Sequence, residues 1–403
     1  SASWAAVMAP AAGDSAKNSS DGISVKLDKT GLSIKNAEND TLMRVHGFIQ
    51  ADARFFPSDD DNNANDSFEL RHARLIVEGG SHGFFYNLTP DFGSSAVVLM
   101  DAFVGYKYKD AFGIQFGKMK PPIGIDQLQG TQDQRFTEYG LPVLLTPSRD
   151  AGGLAFGTFN DKYFETKLTW QLGVFNDTPD NVNDNIDKDD GKEVLGRLIL
   201  DHDGIGGGVA GTFGNTEGSA ANSILPAFTT SGRQTFFAYS AGSFADGNNW
   251  RVDPQAYIYK GPFGAFADYI LSDERVRNGA TEQDVTNKAW GAQVEWVLTG
   301  EDATYKSVSP AHPFDPAAGN WGAWELDARY GHINIDDDAF PILASRSVSA
   351  SAATNWGVGV SGFLTDNARI LFAYERTSFD DGKAGGEDRE TEDALFTRAQ
   401  YQF

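Results

Sequence analysis

The sequence contains no cysteine, only four methionines and no long hydrophobic run. The absence of cysteine excludes disulfides and thiolate chemistry, and it fits a protein that crosses an oxidising compartment unfolded. Basic residues are in deficit, because 33 lysines and arginines stand against 56 aspartates and glutamates, a formal charge of −23. This balance argues against nucleic acid as a partner. No segment reaches the ~18–20 apolar residues that a membrane-spanning helix requires.

Glycine and aromatic residues are abundant instead, at 44 residues and 12% of the chain, as in all-β folds with many short strands. Polar and apolar residues alternate with a period of two in segments about ten residues long. One face of segment 164–175 carries Leu168, Trp170, Leu172 and Val174, and the other face is polar. Roughly sixteen to eighteen such runs follow one another from about residue 43 onward.

The connections between these runs alternate between short turns and long acidic loops, which is the pattern of outer-membrane barrels. The acidic loops lie at 57–67, 176–192, 333–340 and 378–393. A soluble β-sandwich also alternates, but here aromatic residues stand near the ends of the apolar face, as in an interfacial girdle. The other face mixes both charge signs with Gln, Thr and Asn, as a watery interior requires. We therefore predict an all-β, transmembrane antiparallel β-barrel.

The C-terminal segment alternates up to the last residue, with Leu395, Ala399, Tyr401 and Phe403 on one face. Unpaired backbone groups in lipid cost several kcal/mol each, so a membrane sheet must close on itself. The pattern predicts that the last strand pairs with the first. The terminal phenylalanine also resembles the assembly signal of bacterial outer-membrane proteins.

Several motifs resemble the phosphate-selective porin family of bacterial outer membranes. The strongest are "LTGE" (298–301), Tyr305, "PFDP" (313–316) and "GAWELDARY" (322–330). Further matching segments follow the family's order, at 68–80, 101–108, 114–126, 137–157 and 398–403. The resemblance implies a homotrimer of sixteen-stranded barrels, each with its own pore and an inward-folded constriction loop, here at residues 121–150. It implies a Gram-negative outer membrane and a channel, with no enzymatic activity and no cofactor.

An anion path needs basic residues on its wall, and arginine suits phosphate because its guanidinium is always charged and binds in a bidentate manner. The pore and constriction candidates are Arg71, Arg74, Asp101, Lys118, Lys120, Arg135, Arg149 and Arg197. By resemblance, Arg71, Asp101 and Arg197 match charged positions of the family, whereas Arg74 stands where the family tends to have an aromatic residue. Lys118 and Lys120 precede the constriction loop, and Arg135 and Arg149 lie in it. His72 stands where the family has a second arginine. The alternative for Arg71, Arg74 and Arg197 is salt bridging to lumen acids such as Glu69, Glu78 or Asp101.

These patterns favour passive diffusion of small anions, with phosphate-like solutes preferred, through a porin whose partners are its own copies, lipid and lipopolysaccharide. One alternative is a general or weakly cation-preferring porin. Another is a structural outer-membrane protein whose acidic surface loops bind Ca²⁺, the weak candidate ligands being Asp184, Asp187, Asp189 and Asp190. The histidines are scattered and no catalytic set is recognisable. We divide the chain into a periplasmic N-terminal segment, 1–40, and the barrel, 41–403.

Overall fold

The computed structural model describes residues 22–403 except 29, 37, 39, 58–64, 162, 164 and 184–186. Sixteen of its strands, β3–β11, β14–β19 and β21, form one closed antiparallel barrel. The strands of the described residues are, in chain order, β1 (Ile23–Asp28), β2 (Gly31–Asn36), β3 (Thr41–Phe55), β4 (Ser67–Ser81), β5 (Phe84–Asp91), β6 (Val98–Lys109), β7 (Phe112–Met119), β8 (Asp150–Asp161), β9 (Thr166–Phe175), β10 (Glu193–His202), β11 (Ile205–Glu217), β12 (Ala227–Thr229), β13 (Thr235–Ala238), β14 (Phe244–Lys260), β15 (Phe263–Asn278), β16 (Thr281–Val297), β17 (Ala323–Asn334), β18 (Ala350–Phe363), β19 (Ala368–Lys383), β20 (Glu387–Asp388) and β21 (Glu392–Gln402).

The barrel closes where the last strand pairs with the first. Pairs run from Leu395 opposite Phe55 to Gln402 opposite Phe48. Beyond them, the backbone N–H groups of Gly47 and Phe403 each donate to the other residue's carbonyl oxygen at 2.9 Å. The predicted pairing of the C-terminal strand with the first barrel strand is thereby confirmed, and no sheet edge is left between them.

The two faces of the strands differ as the alternation predicts. On β9, Leu172 is exposed whereas Gln171 is buried, and on β16 Trp296 is exposed whereas Glu295 is buried. Apolar side chains therefore point away from the barrel and polar ones point into it. Within the described residues, no helix is both long and apolar enough to cross a membrane. The α-helix found there, α1 (Ile125–Leu128), has about one turn.

The two ends of the barrel have different connections. One, here called the short-turn end, carries tight turns such as residues 82–83 and 203–204, with one long exception at 298–322. The other, the long-loop end, carries the connections 120–149, 176–192 and 218–243, and the last of these contains the hairpin β12–β13.

The β1–β2 hairpin continues the sheet beside the beginning of β3, with Leu32 opposite Val45. The described part of the chain therefore joins this hairpin to the barrel by backbone pairing. The division into a periplasmic segment, 1–40, and a barrel, 41–403, stays a prediction.

An apolar core lies inside the barrel, against strands β15–β19. The 3₁₀ helix Leu141–Leu145 contributes Leu141, Leu144 and Leu145, and the β12–β13 hairpin contributes three phenylalanines. Burying each such side chain stabilises the fold by about 1.5–3 kcal/mol. Gly291 permits the close approach, because a Cβ there would lie 2.9 Å from Cγ of Pro142. This core fixes one side of the 120–149 loop to the wall.

Candidate functional site

The 120–149 loop lies among the inward-facing side chains of strands on different sides of the barrel. The backbone N–H of Gly124 donates to Oδ2 of Asp253 on β14 at 2.8 Å. Nε2 of Gln50 on β3 donates to the carbonyl of Thr131 at 3.1 Å. Since the loop leaves the barrel wall between β7 and β8, these contacts take it across the interior.

Arg135 is the most deeply buried charge of this loop, with no exposed surface. Its Nε donates to Oε1 of Glu325 at 2.7 Å, and its Nη2 lies 3.2 Å from Oε2 of Glu295. Nη2 also donates to the carbonyl of Thr304 at 2.8 Å. Arg135 therefore holds the loop to the wall of β16 and β17, where water does not reach it.

Arg74 is also buried, on β4, and points at the same loop. Its Nε donates to Oδ2 of Asp91 and its Nη1 to Oγ1 of Thr131, both at 2.8 Å. Asp91 is shared with His72, whose Nδ1 lies 2.6 Å from Oδ2. The carboxylate thus compensates the charge of Arg74 and leaves the guanidinium as a support for the loop.

The basic residues at the two roots of the loop have partners within or beside it. Nζ of Lys120 donates to the carbonyls of Gln127 and Gln129 at 2.6 and 2.8 Å. Nη2 of Arg149 lies 3.6 Å from Oδ2 of Asp101. Lys118 is buried on β7.

Arg71 belongs to a row of four charges that water reaches. Its Nε and Nη2 donate to the two oxygens of Glu138 at 2.7 and 2.9 Å. Arg233, from the 218–243 loop, donates to Oε1 of Glu138 at 3.2 Å and binds both oxygens of Glu69 at 2.9 and 2.7 Å. The four side chains, which we call the charged row, are 20–35% exposed. They join β4, the 120–149 loop and the 218–243 loop.

Glu138 is ionised at ordinary pH. Burial raises the pKa of its carboxyl, but the charge and hydrogen bonds of Arg71, together with the charge of Arg233, lower this pKa to about 2. The charged row thus contains two positive and two negative groups.

Arg197, on β10, is held by neutral groups. Its Nη1 donates to Oε1 of Gln171 at 3.1 Å and its Nη2 to Oε1 of Gln255 at 2.7 Å. No carboxylate of the described residues lies at ion-pair distance from it, although the charge of Asp253 on β14, which binds the same Gln255, acts on it. The guanidinium is half-buried on the inward face, so its positive charge remains available to the interior.

The 298–322 connection reaches into the barrel from the short-turn end. The hydroxyl of Tyr305 donates to the carbonyl of Ile125, and Nε2 of Gln129 donates to the carbonyl of Tyr305 at 3.0 Å. The backbone N–H of Ser307 donates to Oδ1 of Asp133 at 2.8 Å. These contacts attach the 298–322 connection, including Tyr305, to the 120–149 loop.

Two of the predicted Ca²⁺ ligands, Asp187 and Asp189, accept hydrogen bonds from other groups of the chain. Asp187 accepts from Nζ of Lys192 at 2.8 Å, and Asp189 accepts from two backbone N–H groups at 2.9 and 2.7 Å. Asp190 is exposed, and Asp184 lies outside the described residues. Across the part of the chain that the structure describes, no three His, Cys, Asp or Glu side chains form a group suited to a metal ion. The Ca²⁺ hypothesis stays a prediction.

Sequence reasoning did not identify several residues of this site, among them Glu138, Arg233, Glu325 and Glu295. Glu138 lies in a stretch that resembles the family, 137–157, but nothing in that stretch indicates its partners. Arg233 stands alone in its loop, and only the fold brings it to Glu69, 164 residues away along the chain.

The sequence of the chain is similar to those of known outer-membrane proteins. The sequence model of the family described as "Phosphate-selective porin O and P" matches residues 43–403. The chain is 26% identical to Porin O of Pseudomonas aeruginosa over 411 residues, which cover 93% of this chain and 91% of that protein.

Solved structures give the fold. The outer-membrane channel DcaP of Acinetobacter baumannii superimposes with a TM-score of 0.56 at 10% identity, over 92% of this chain and 99% of that one. OmpF of Salmonella typhi, in complex with daunomycin, gives 0.55 at 13% identity, over 92% and 100%. The trimer form of OmpT of Vibrio cholerae gives 0.55 at 12% identity, over 90% and 99%.

Proposed function

Because this chain belongs to the family of phosphate-selective porins O and P, we propose that phosphate-like oxyanions are its preferred solutes and that the 120–149 loop narrows their path. The chain is an outer-membrane porin of bacteria. It forms a channel for the passive diffusion of anions, and it is not an enzyme. Such permeation needs wall charges that replace part of the hydration of the solute without trapping it.

Arg197 is the observation that carries the proposal. Its guanidinium is positioned by two glutamine oxygens and faces the interior, with no carboxylate at ion-pair distance among the described residues. Amide oxygens orient a guanidinium but do not neutralise it, so the charge can attract an anion. Five donors in a planar fork suit an oxyanion better than a spherical halide.

The other predicted pore residues take two roles in this proposal. Arg135 and Arg149 brace the 120–149 loop through carboxylates of the wall, and Arg74 braces it through Oγ1 of Thr131. Arg71 faces water within the charged row at the long-loop end, where Glu138 balances its charge. Selectivity then depends on a few reachable charges rather than on the net charge of the chain.

We also propose that three copies assemble, with the long-loop end outside the cell and the β1–β2 hairpin in the periplasm. A trimer form is recorded for OmpT of Vibrio cholerae, whose fold is similar. Lipopolysaccharide around the barrel and Ca²⁺ at the acidic loops belong to the same proposal.

Weak cation preference is the second candidate, and one observation favours it. Asp268, on β15, is buried, and its Oδ2 has no hydrogen-bond partner. Asp253 lies on β14, the strand paired with β15, so this part of the wall carries two carboxyl groups. If this wall governs the field, potassium rather than chloride carries most of the current.

Phosphate block of the chloride current in planar bilayers tests the oxyanion preference. We expect phosphate to reduce chloride conductance in the unmodified channel. Arg197→Gln should require about tenfold more phosphate for the same block, since hydrogen bonds to charged groups contribute about 1.5–3 kcal/mol. Arg376→Gln, which removes an exposed arginine of the outward face, should leave the block unchanged. Equal block in all three channels would rule out Arg197 as the anion contact.

A further inference from the structure

In the charged row, two guanidinium groups converge on one carboxylate at a place that water reaches. The buried ion pairs of the loop lack this arrangement. Nε and Nη2 of Arg71 donate to Oε1 and Oε2 of Glu138, and Nε of Arg233, from another loop, donates to the same Oε1 at 3.2 Å. Two arginines around one carboxylate is the arrangement by which proteins bind an oxyanion. Here the oxyanion is supplied by the chain itself.

We propose that Glu138 sets the anion selectivity of the channel by occupying the site that Arg71 and Arg233 would otherwise offer to a permeating carboxylate or phosphate. The inference rests on the proposed anion passage and adds a specificity-determining residue to it. Glu69 completes the row and makes it neutral overall. Removing one negative charge therefore turns a neutral row into a positive one.

The surroundings of Glu138 allow this charge to be changed without releasing the loop. Nη1 of Arg329 donates to the backbone carbonyl of Glu138 at 2.7 Å. Nη2 of Arg398 donates to the neighbouring carbonyl of Thr137 at 2.8 Å. Both bonds use backbone atoms, so they persist when the side chain at 138 is replaced. The amide of glutamine also has nearly the shape of the carboxylate.

The row is also accessible, which separates it from the other ion pairs of the loop. The side chain of Arg233 is 35% exposed and that of Arg71 is 26% exposed, whereas Arg135 and Glu325 are both at 0%. Only charges that water reaches can exchange a carboxylate partner for a solute anion.

The reversal potential across a KCl gradient measures the effect in the purified, refolded channel. Glu138→Gln should raise the chloride-to-potassium permeability ratio about two- to threefold, as expected for one uncompensated charge near a water-filled path. Arg71→Gln/Glu138→Gln together restore neutrality and should return the ratio to that of the unmodified channel. Glu282→Gln makes the same charge change on the outward face and should have no effect.

Arg233→Gln provides a second variant. Arg233 is exposed in the turn between β12 and β13, so losing its ion pairs should have little effect on stability. It makes the row negative and should shift the ratio toward potassium. An unchanged ratio in Glu138→Gln, or a raised ratio that persists in the double variant, would overturn the inference. A potassium-selective unmodified channel would contradict the proposed anion passage instead, while the difference between the variants would still report on Glu138.

Discussion

The pair Arg135–Glu325 and the charged row contain the same chemical groups, yet their environments assign them different roles. The pair is fully desolvated and joins the 120–149 loop to β17. The charged row is 20–35% exposed and lies at the long-loop end. A buried charge left without its partner is severely destabilising, whereas an exposed ion pair contributes about 0–1 kcal/mol. Burial thus makes the pair Arg135–Glu325 a structural support, whereas exposure allows the charged row to interact with solutes.

Breaking the buried pair should have the largest effect. Arg135→Gln leaves Glu325 and Glu295 without their cation, which costs about 3–5 kcal/mol and releases the loop from the wall. We expect a higher and noisier single-channel conductance and unfolding at lower temperature in detergent. Arg376→Gln serves as the exposed control. A conductance equal to that of the unmodified channel would remove Arg135 from the supports of the loop.

Weakening the apolar attachment of the same loop should have a smaller effect. Leu145 is fully buried in the apolar core inside the barrel, and Leu145→Ala should cost about 2–4 kcal/mol by creating a cavity. Thermal unfolding followed by circular dichroism measures the loss, with Val348→Ala as the control because Val348 is 70% exposed. If both variants unfold at the same temperature, the core inside the barrel does not hold the loop.

Raising the salt concentration should have the smallest effect on stability. It should act on exposed charges but not on the buried pair Arg135–Glu325. The Debye length falls from about 10 Å at 0.1 M to about 3 Å at 1 M salt, so the field of charges that water reaches is screened while that of the buried pair is not. The chloride-to-potassium permeability ratio should approach one as KCl is raised, and the unfolding temperature should change little. A ratio independent of salt would mean that buried charges set the selectivity.

The barrel could be predicted from the sequence because its signal is local. Alternation needs only neighbouring residues, and Leu172 and Gln171 lie on the faces that it assigns to them. The pairing of Phe403 with Gly47 also follows from a general requirement, since a membrane sheet must have no open edge.

The site is less accessible to sequence reasoning, because its contacts join distant positions. Arg71 and Glu138 are 67 residues apart, and Arg233 and Glu69 are 164 apart. The sequence does not show which group binds a charged side chain or how deeply that side chain is buried. Arg74 and Arg197 therefore cannot be distinguished from the sequence. Only the fold shows that Asp91 neutralises the first while two glutamines hold the second.

The reversal potential of the unmodified channel in a tenfold KCl gradient tests the central claim most directly. We predict a potential of the sign given by chloride as the more permeable ion, because reachable arginines dominate the field inside the barrel. A potential of the opposite sign, with potassium the more permeable ion, would contradict this account.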